Sequence, residues 1–135
     1  MSREVYPLSP MQQGMLFHTI SAPASDLYVQ QLSVRLRGAL DVERFRTAWE
    51  ELIARHAVLR TAFAWKGLAE PLQVVGERVG VPLEVVEGDV DQIRERERLA
   101  GFDLSRAPLM RLKLVGDHLI WTWHHIILDA WSVPI

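Results

Sequence analysis

Residues 109–124 read LMRLKLVGDHLIWTWH, two largely apolar runs separated by Gly116-Asp117. The alternation of side chains in the first run predicts a strand that buries one face. Two turn-forming residues between two strand-like runs are typical of a β-hairpin. This stretch therefore predicts an antiparallel pair that joins residues 109–115 to residues 118–124.

Three upstream segments have the spacing and capping residues of helices. Ser9 can cap and Pro10 can begin a helix that runs to about residue 20. Asp41 precedes a segment in which apolar residues recur at three- and four-residue spacing, which is typical of an amphipathic helix. In residues 91–98, Glu and Arg lie close enough to pair along a solvated helix. The first helix is expected to bury Met11, Met15 and Phe17 or His18.

The other regular segments have the pattern of strands. Residues 27–37 alternate in polarity, which predicts a half-buried strand with Leu32, Val34 and Leu36 on one face. Residues 58–65 are predicted to form a strand that pairs with residues 71–75 after a turn at Lys66-Gly67. Helices and strands in this mixed order predict a layered α/β (α+β) sandwich.

The composition is that of one domain, or part of one, and it excludes several classes of function. The 135 residues carry 15 Lys and Arg against 17 Asp and Glu, without the cluster of cations that a nucleic-acid surface needs. The sequence has no Cys, which excludes disulfides and thiolate metal sites. No apolar run has the form of a signal peptide or a membrane span. We expect a cytoplasmic protein with neither nucleic-acid nor membrane partners.

The end of the sequence is unusual for a complete domain. In residues 130–135, Ser132 and Pro134 resemble the start of a further helix. We therefore expect a truncated domain, which exposes a sheet edge and an apolar face.

Residues 123–129, WHHIILD, carry the densest group of reactive side chains. Neighbouring side chains on a strand point to opposite faces, so only one of His124 and His125 can enter a given cleft. Three interpretations stay open. Both imidazoles are structural; or His125 and Asp129 are two ligands of a metal whose third ligand is not evident; or one imidazole does acid–base or positioning chemistry in a cleft.

Residues 55–63, RHAVLRTAF, form a second group of polar side chains. In one interpretation, Arg55 and His56 favour the C-terminus of the preceding helix and Arg60 is a surface residue. In the other, one Arg keeps Asp129 ionised, because a guanidinium suits a partly buried carboxylate better than an ammonium does. The second interpretation predicts a cavity shared by one imidazole and a carboxylate–guanidinium pair.

Four segments together resemble the condensation domains of nonribosomal peptide synthetases. They are YPLSPMQQGMLFH at residues 6–18, RHAVLRTAF at residues 55–63, FDLS at residues 102–105 with Pro108-Leu109, and HHIILDAWS at residues 124–132. The last of them is similar to the active-site motif of that family. Their order and their spread along the chain make the resemblance specific.

The resemblance implies a fold like that of chloramphenicol acetyltransferase, with two lobes around a channel. Residues 1–135 would be the incomplete first lobe of this domain. The implied reaction is amide formation between a carrier-bound acyl or peptidyl thioester and a carrier-bound aminoacyl group. Both substrates would arrive on the phosphopantetheine arms of carrier proteins, and neither a bound cofactor nor a metal is implied.

The resemblance also implies roles for individual residues. His125 matches the catalytic position, and His124 is a further candidate catalytic residue or a structural neighbour. Asp129 matches a residue that holds the shape of the site through a salt bridge, for which Arg60 is the matching partner. The implied partners are the donor and acceptor carrier proteins and the remaining lobe of the domain.

One residue departs from the family pattern. Ala130 stands where the family usually has Gly, and the added methyl group is expected to strain the turn or to narrow the channel. Two alternatives therefore stay open beside amide formation. One is a non-catalytic module that binds carrier proteins or acts as a scaffold, and the other is a free-standing acyltransferase that uses a diffusible thioester.

Overall fold

The computed structural model describes residues 4–22, 27–38 and 40–130, without the side chains of residues 128–130. Within this part of the chain, strands and helices follow one another in mixed order, as the sequence predicts. The strands are β1 (Glu4–Pro7), β2 (Val29–Arg35), β3 (Thr61–Ala64), β4 (Leu72–Val75), β5 (Leu83–Val86), β6 (Met110–Val115) and β7 (His118–His124). The α-helices are α1 (Pro10–Ser21), α2 (Val42–Arg55), α3 (Val90–Ala100) and α4 (His125–Ala130).

The predicted hairpin is confirmed and lies inside a four-stranded sheet with the order β2-β7-β6-β5. β6 and β7 are antiparallel, with Val115 opposite His118. Gly116 in the turn between them has a φ of 58°, which glycine adopts without steric cost. β5 pairs parallel to β6, in a region rich in Gly and Pro where the sequence predicts no element. One face of β6 is buried through Met110, Leu112 and Leu114.

A smaller sheet has the order β1-β4-β3. The antiparallel pairing of β3 with β4 confirms the predicted pair, and β1, which the sequence does not predict, pairs with the other edge of β4. The predicted strand over residues 58–65 is wrong in its first half, where Ala57–Arg60 form a 3-10 turn. The reason is that the Arg60 side chain turns back and donates to carbonyl groups at the end of α2.

Helices cover both faces of the four-stranded sheet, which confirms the predicted sandwich. On one face, Ile93 of α3 packs with Val115 and Ile120. On the other face, the Trp49 ring of α2 lies 5.4 Å from the Trp121 ring, centroid to centroid. The predicted helix at residues 91–98 is confirmed as α3, although one of its charged residues, Glu97, is buried rather than solvated.

The buried face predicted for residues 27–37 is right at Leu36, which packs against the core, and wrong at Leu32 and Val34. Leu32 is 48% exposed and Val34 is 37% exposed, because α3 packs against the opposite face of β2, where Gln31 Nε2 donates to the carbonyl of Arg94 at 2.9 Å. The less exposed face of β2 is thus the one that carries the polar side chains of Gln31 and Ser33.

The buried face predicted for α1 is right only in part. Met15 is buried, but Met11 is 60% exposed and Phe17 is 76% exposed. The face that α1 turns toward the protein carries Gln12 beside Met15 and Leu16. This polar residue forms hydrogen bonds on the buried face of the helix, which apolar spacing does not detect.

Candidate active site

The two histidines lie at the junction of a strand and a helix. β7 ends at His124 and α4 begins at His125. His124 shares the buried face of β7 with Thr122, as predicted. The expectation that His125 continues the opposite face of the strand is wrong, because the backbone leaves the sheet at this residue. The His125 backbone N–H donates to the carbonyl of Tyr28 at 2.7 Å.

Both ring nitrogens of His124 bind other groups of the protein. Nδ1 accepts the backbone N–H of Ile126 at 3.0 Å, so the imidazole caps the first turn of α4. Nε2 lies 3.1 Å from Oγ1 of Thr19, and this hydroxyl donates to the carbonyl of Met15 at 2.8 Å. Because a backbone amide can only donate, Nδ1 carries no proton and Nε2–H donates to Thr19. His124 is therefore held neutral in one tautomer.

The surroundings of His124 oppose its protonation. The residue is 2% exposed, and the rings of Tyr28 and Phe102 lie near it, with centroid distances of 6.1 and 6.5 Å. Burial lowers the pKa of His124 to about 4, and the neighbouring His125 contributes to the same shift. Desolvation acts in this direction because it disfavours the charged form of an imidazole. His124 is thus unsuited to accept a proton near neutral pH.

His125 is in a different state. The residue is partly exposed, and its Nδ1 atom is buried with no hydrogen-bond partner among the described residues. Buried polar atoms are nearly always paired in folded proteins, so an unpaired one needs a functional or structural explanation. Of the two adjacent imidazoles, only that of His125 is partly exposed and has a ring nitrogen without a hydrogen-bond partner among the described residues.

α1 holds this junction through Gln12 and Thr19, two side chains that the sequence patterns did not identify, together with the predicted cap Ser9. Ser9 and Gln12 form a reciprocal capping box, in which each side chain accepts the backbone N–H of the other. Gln12 also donates from Nε2 to the carbonyl of Ile126 at 3.3 Å. Thr19, which contacts His124, lies two helical turns further along the same face of α1. The Ser-x-x-Gln spacing is the signal that would have identified Gln12.

We expect Gln12→Met to lower the free energy of unfolding by about 2 kcal/mol, because the backbone groups of Ser9 and Ile126 lose a partner while the side-chain volume is kept. Urea unfolding measures this difference. Gln13→Met is the control, since Gln13 is exposed on the same helix and its replacement should change stability by less than about 0.5 kcal/mol. Equal effects of the two substitutions would contradict a role for the buried hydrogen bonds.

In the described structure, the Arg60 side chain donates hydrogen bonds to backbone carbonyl groups. Its Nε donates to the carbonyl of Gly76 at 2.9 Å, and its Nη1 donates to the carbonyls of Ile53 and Ala54 at 2.6 and 2.7 Å. The two Nη1 bonds satisfy carbonyls in the last turn of α2. α4 contacts the 3-10 turn that contains Arg60. The side chain of Asp129 lies outside the described atoms, so the Arg60–Asp129 salt bridge stays a prediction.

Arg60 also lines a cavity of about 450 Å³. Its walls come mainly from β3 and the residues that follow it, and include Phe63, Trp65, Lys66 and Ser105. Among the described residues, neither histidine lines this cavity. The structure therefore does not show the predicted cavity that joins an imidazole to Arg60.

A second arginine, Arg111, lies near the site on the far side of Phe102 from His124. The sequence patterns did not identify it. The Arg111 guanidinium donates to the Glu97 carboxylate at 2.8 Å, to the Glu97 carbonyl at 2.8 Å and to the Gly101 carbonyl at 2.6 Å. It also lies 4.1 Å from the centroid of the Phe102 ring, whose edge-on partner is His124. Phe102 thus separates a largely buried ion pair from the capped imidazole.

Two other features concern metal binding and membranes. Within the described residues, His, Asp and Glu do not form a group of three that could hold a metal ion. No helix in that part of the chain is long and apolar enough to cross a bilayer. The alternative in which His125 and Asp129 ligate a metal involves a side chain outside the described atoms, so it stays a hypothesis.

A comparison with protein families decides the relationship that the motifs suggest. The family model described as Condensation domain matches residues 2–135. The chain belongs to the condensation domain family. This match confirms the resemblance stated from the four sequence segments.

Relatives of this condensation domain chain are very large synthetases. It is 40% identical over 146 residues to one of the proteins that make up the linear gramicidin synthase of Brevibacillus parabrevis, a match that covers 97% of this chain and 3% of that protein. It is 36% identical over 145 residues to bacitracin synthase 3 of Bacillus licheniformis, covering 98% of this chain and 2% of the relative. The chain therefore spans only a few per cent of these relatives.

Solved structures, among them a condensation domain, share the fold of this chain. The first condensation domain of the CDA synthetase superposes with a TM-score of 0.75 at 16% identity, over 90% of this chain and 36% of that one. The X-domain from teicoplanin biosynthesis superposes with a TM-score of 0.74 at 27% identity, over 89% of this chain and 28% of that one. The predicted fold class is thereby confirmed.

Proposed function

We propose that this condensation domain chain is part of a catalyst that joins two carrier-bound substrates through an amide bond. Membership of the family supports acyl transfer in general. The contrast between the two histidines carries the more specific proposal. Both ring nitrogens of His124 bind protein atoms, whereas His125 is partly exposed with an unpartnered Nδ1 among the described residues.

The proposed reaction is aminolysis of a thioester. The amine nitrogen of the acceptor forms a bond to the carbonyl carbon of the donor, and the C–S bond of the thioester breaks. The proton lost by the nitrogen ends on the released phosphopantetheine thiol. His125 orients the amine or transfers this proton, which is work that imidazole does more often than any other side chain in enzymes. Positioning two tethered reactants together supplies much of the acceleration.

The other residues have supporting roles in this proposal. His124 is a positioning residue rather than a proton acceptor, and Asp129 with Arg60 forms the brace expected from the family pattern. The partners are the donor and acceptor carrier proteins and the remaining lobe of the domain, in the cytoplasm. No cofactor is proposed beyond the phosphopantetheine that carries the substrates.

The test is product formation from loaded donor and acceptor carrier proteins by a complete condensation domain that contains this chain. His125→Ala is expected to reduce the rate about a hundredfold, at the low end for loss of a general acid or base, because the tethered substrates still meet in the channel. Product is measured by mass spectrometry of the acceptor carrier.

The control is His118→Ala, at the start of β7 and at the far end of the strand from the junction. This variant should keep the wild-type rate, and both variants should bind the carriers as the wild type does. If His125→Ala turns over at the wild-type rate, the proposed role of His125 is wrong.

A second candidate function is a condensation-type domain that binds a partner without turnover. The likeness to the X-domain that was solved in complex with OxyB favours it, at 26% identity and a TM-score of 0.75. Ala130 does not decide between the two, because it is the last residue of α4 and no non-glycine residue in the described part has a positive φ. Carrier binding without product in the wild-type domain would favour this candidate.

A further inference from the structure

We infer that Thr19 is a positioning residue, which locks the His124 imidazole in the tautomer that caps α4 and thereby fixes the place where His125 begins. This inference rests on the proposed function for its effect on rate, although its structural part can be tested alone. The Thr19 hydroxyl on α1 contacts the His124 imidazole, although the two residues are 105 positions apart in the sequence.

The direction of the hydrogen bonds follows from one fixed donor. The amide of Ile126 must donate, so His124 Nδ1 must accept. The remaining proton of the neutral ring is then on Nε2 and requires an acceptor in a site where water has almost no access. Thr19 Oγ1 is that acceptor at 3.1 Å, and its own proton goes to the Met15 carbonyl at 2.8 Å.

Without the Thr19 hydroxyl, the His124 ring has other orientations and another tautomer available. If Thr19 offers no oxygen, the Nε2–H of His124 is buried without a partner, which is costly. Rotation of the ring or a change of tautomer then competes with the bond to Ile126. Either change removes the cap from the first turn of α4, and His125 is the first residue of that turn.

The position of His125 depends on the cap that the His124 ring provides for α4, because the capped amide belongs to the next residue, Ile126. The backbone N–H of His125 is held by the Tyr28 carbonyl, and that of the next residue is held by the His124 ring. Loss of the second bond frees one side of His125. A small displacement of a reacting group is sufficient to reduce a rate without a change in substrate binding.

The chain offers a matched control for the helical hydroxyl. Thr47 of α2 donates to the carbonyl four residues earlier, that of Glu43, at 2.9 Å, as Thr19 does with Met15. The Thr47 hydroxyl bond is exposed, and this hydroxyl makes no contact with a histidine in the described structure. Thr47→Val therefore reproduces the loss of the backbone contact without any effect on the junction.

The first measurement is hydrogen–deuterium exchange in a complete condensation domain that contains this chain. In Thr19→Val, the peptide that spans the β7–α4 junction should exchange about tenfold faster or more at the Ile126 amide, because its acceptor is no longer fixed. Thr19→Ser, which keeps the hydroxyl, and Thr47→Val should exchange as the wild type does. Unchanged exchange in Thr19→Val would overturn the inference whether or not the domain is a catalyst.

The second measurement is the rate of amide formation on loaded carriers, well below the unfolding temperature. Thr19→Val should lower kcat about tenfold with KM unchanged, Thr19→Ser should restore it, and Thr19→Val should have no further effect when His124 is already replaced by Asn. Additive effects of the two substitutions would show that Thr19 does not act through His124. Faster exchange together with full activity of His125→Ala would instead refute the proposed function and leave the lock in place.

Discussion

Replacing Arg111 by alanine is expected to lower the free energy of unfolding by about 3–5 kcal/mol, the range for removal of one partner from a buried ion pair. The side chains of Arg111 and Glu97 are 24% and 10% exposed. The substitution leaves the Glu97 carboxylate without its cation and the carbonyls of Glu97 and Gly101 without the Arg111 donor. It also removes the cation that lies over Phe102.

Urea unfolding of the domain measures the loss. Arg111→Lys should recover only a small part of it, because an ammonium cannot reproduce the three directed bonds of the guanidinium. Arg35→Ala is the control, since the Arg35–Asp117 pair has a similarly short contact but side chains that are 77% and 47% exposed. Arg35→Ala should lower the free energy of unfolding by less than about 1 kcal/mol. If Arg111→Ala costs no more than Arg35→Ala, burial of the Glu97 pair does not govern its stability.

Acidification from pH 6.5 to pH 4 is expected to lower the free energy of unfolding by about 3 kcal/mol through His124 alone. The pKa of this imidazole is about 4 in the folded chain against an ordinary value of 6.5. Between these values the unfolded chain binds a proton that the folded chain does not, so stability falls as the pH falls. Each pH unit corresponds to about 1.4 kcal/mol.

The groups around His124 explain the direction of this effect and suggest its control. His125 adjoins the ring, Tyr28 and Phe102 flank it, and the cation of Arg111 lies behind Phe102, so the described contacts include no carboxylate that would favour protonation. His124→Asn can still accept the Ile126 amide but cannot titrate. Its stability, measured by urea unfolding at several pH values, should fall less steeply than that of the wild type. Parallel pH dependences of the two proteins would contradict the assignment.

Local sequence patterns predicted the regular elements that depend on neighbours in the chain. The β6–β7 hairpin, the caps of α1 and α2 and the position of helix α3 follow from turn residues, capping residues and the spacing of side chains. The errors occurred where a contact between residues far apart in the sequence determines the local structure or the exposed face. Ala57–Arg60 form a 3-10 turn because Arg60 reaches back to α2. Leu32 is half exposed because α3 packs against the opposite face of β2.

The sequence by itself determined the family, through motifs whose order needs no coordinates, and it placed His124 and His125 at the end of a strand. Only the tertiary structure decided that the two imidazoles differ. Their chemical groups are identical, but Thr19 and the Ile126 amide occupy both nitrogens of one ring, while a nitrogen of the other is without a partner among the described residues. The capacity of a side chain for chemistry depends on which of its atoms are already bonded, and contacts between residues 105 positions apart fix that.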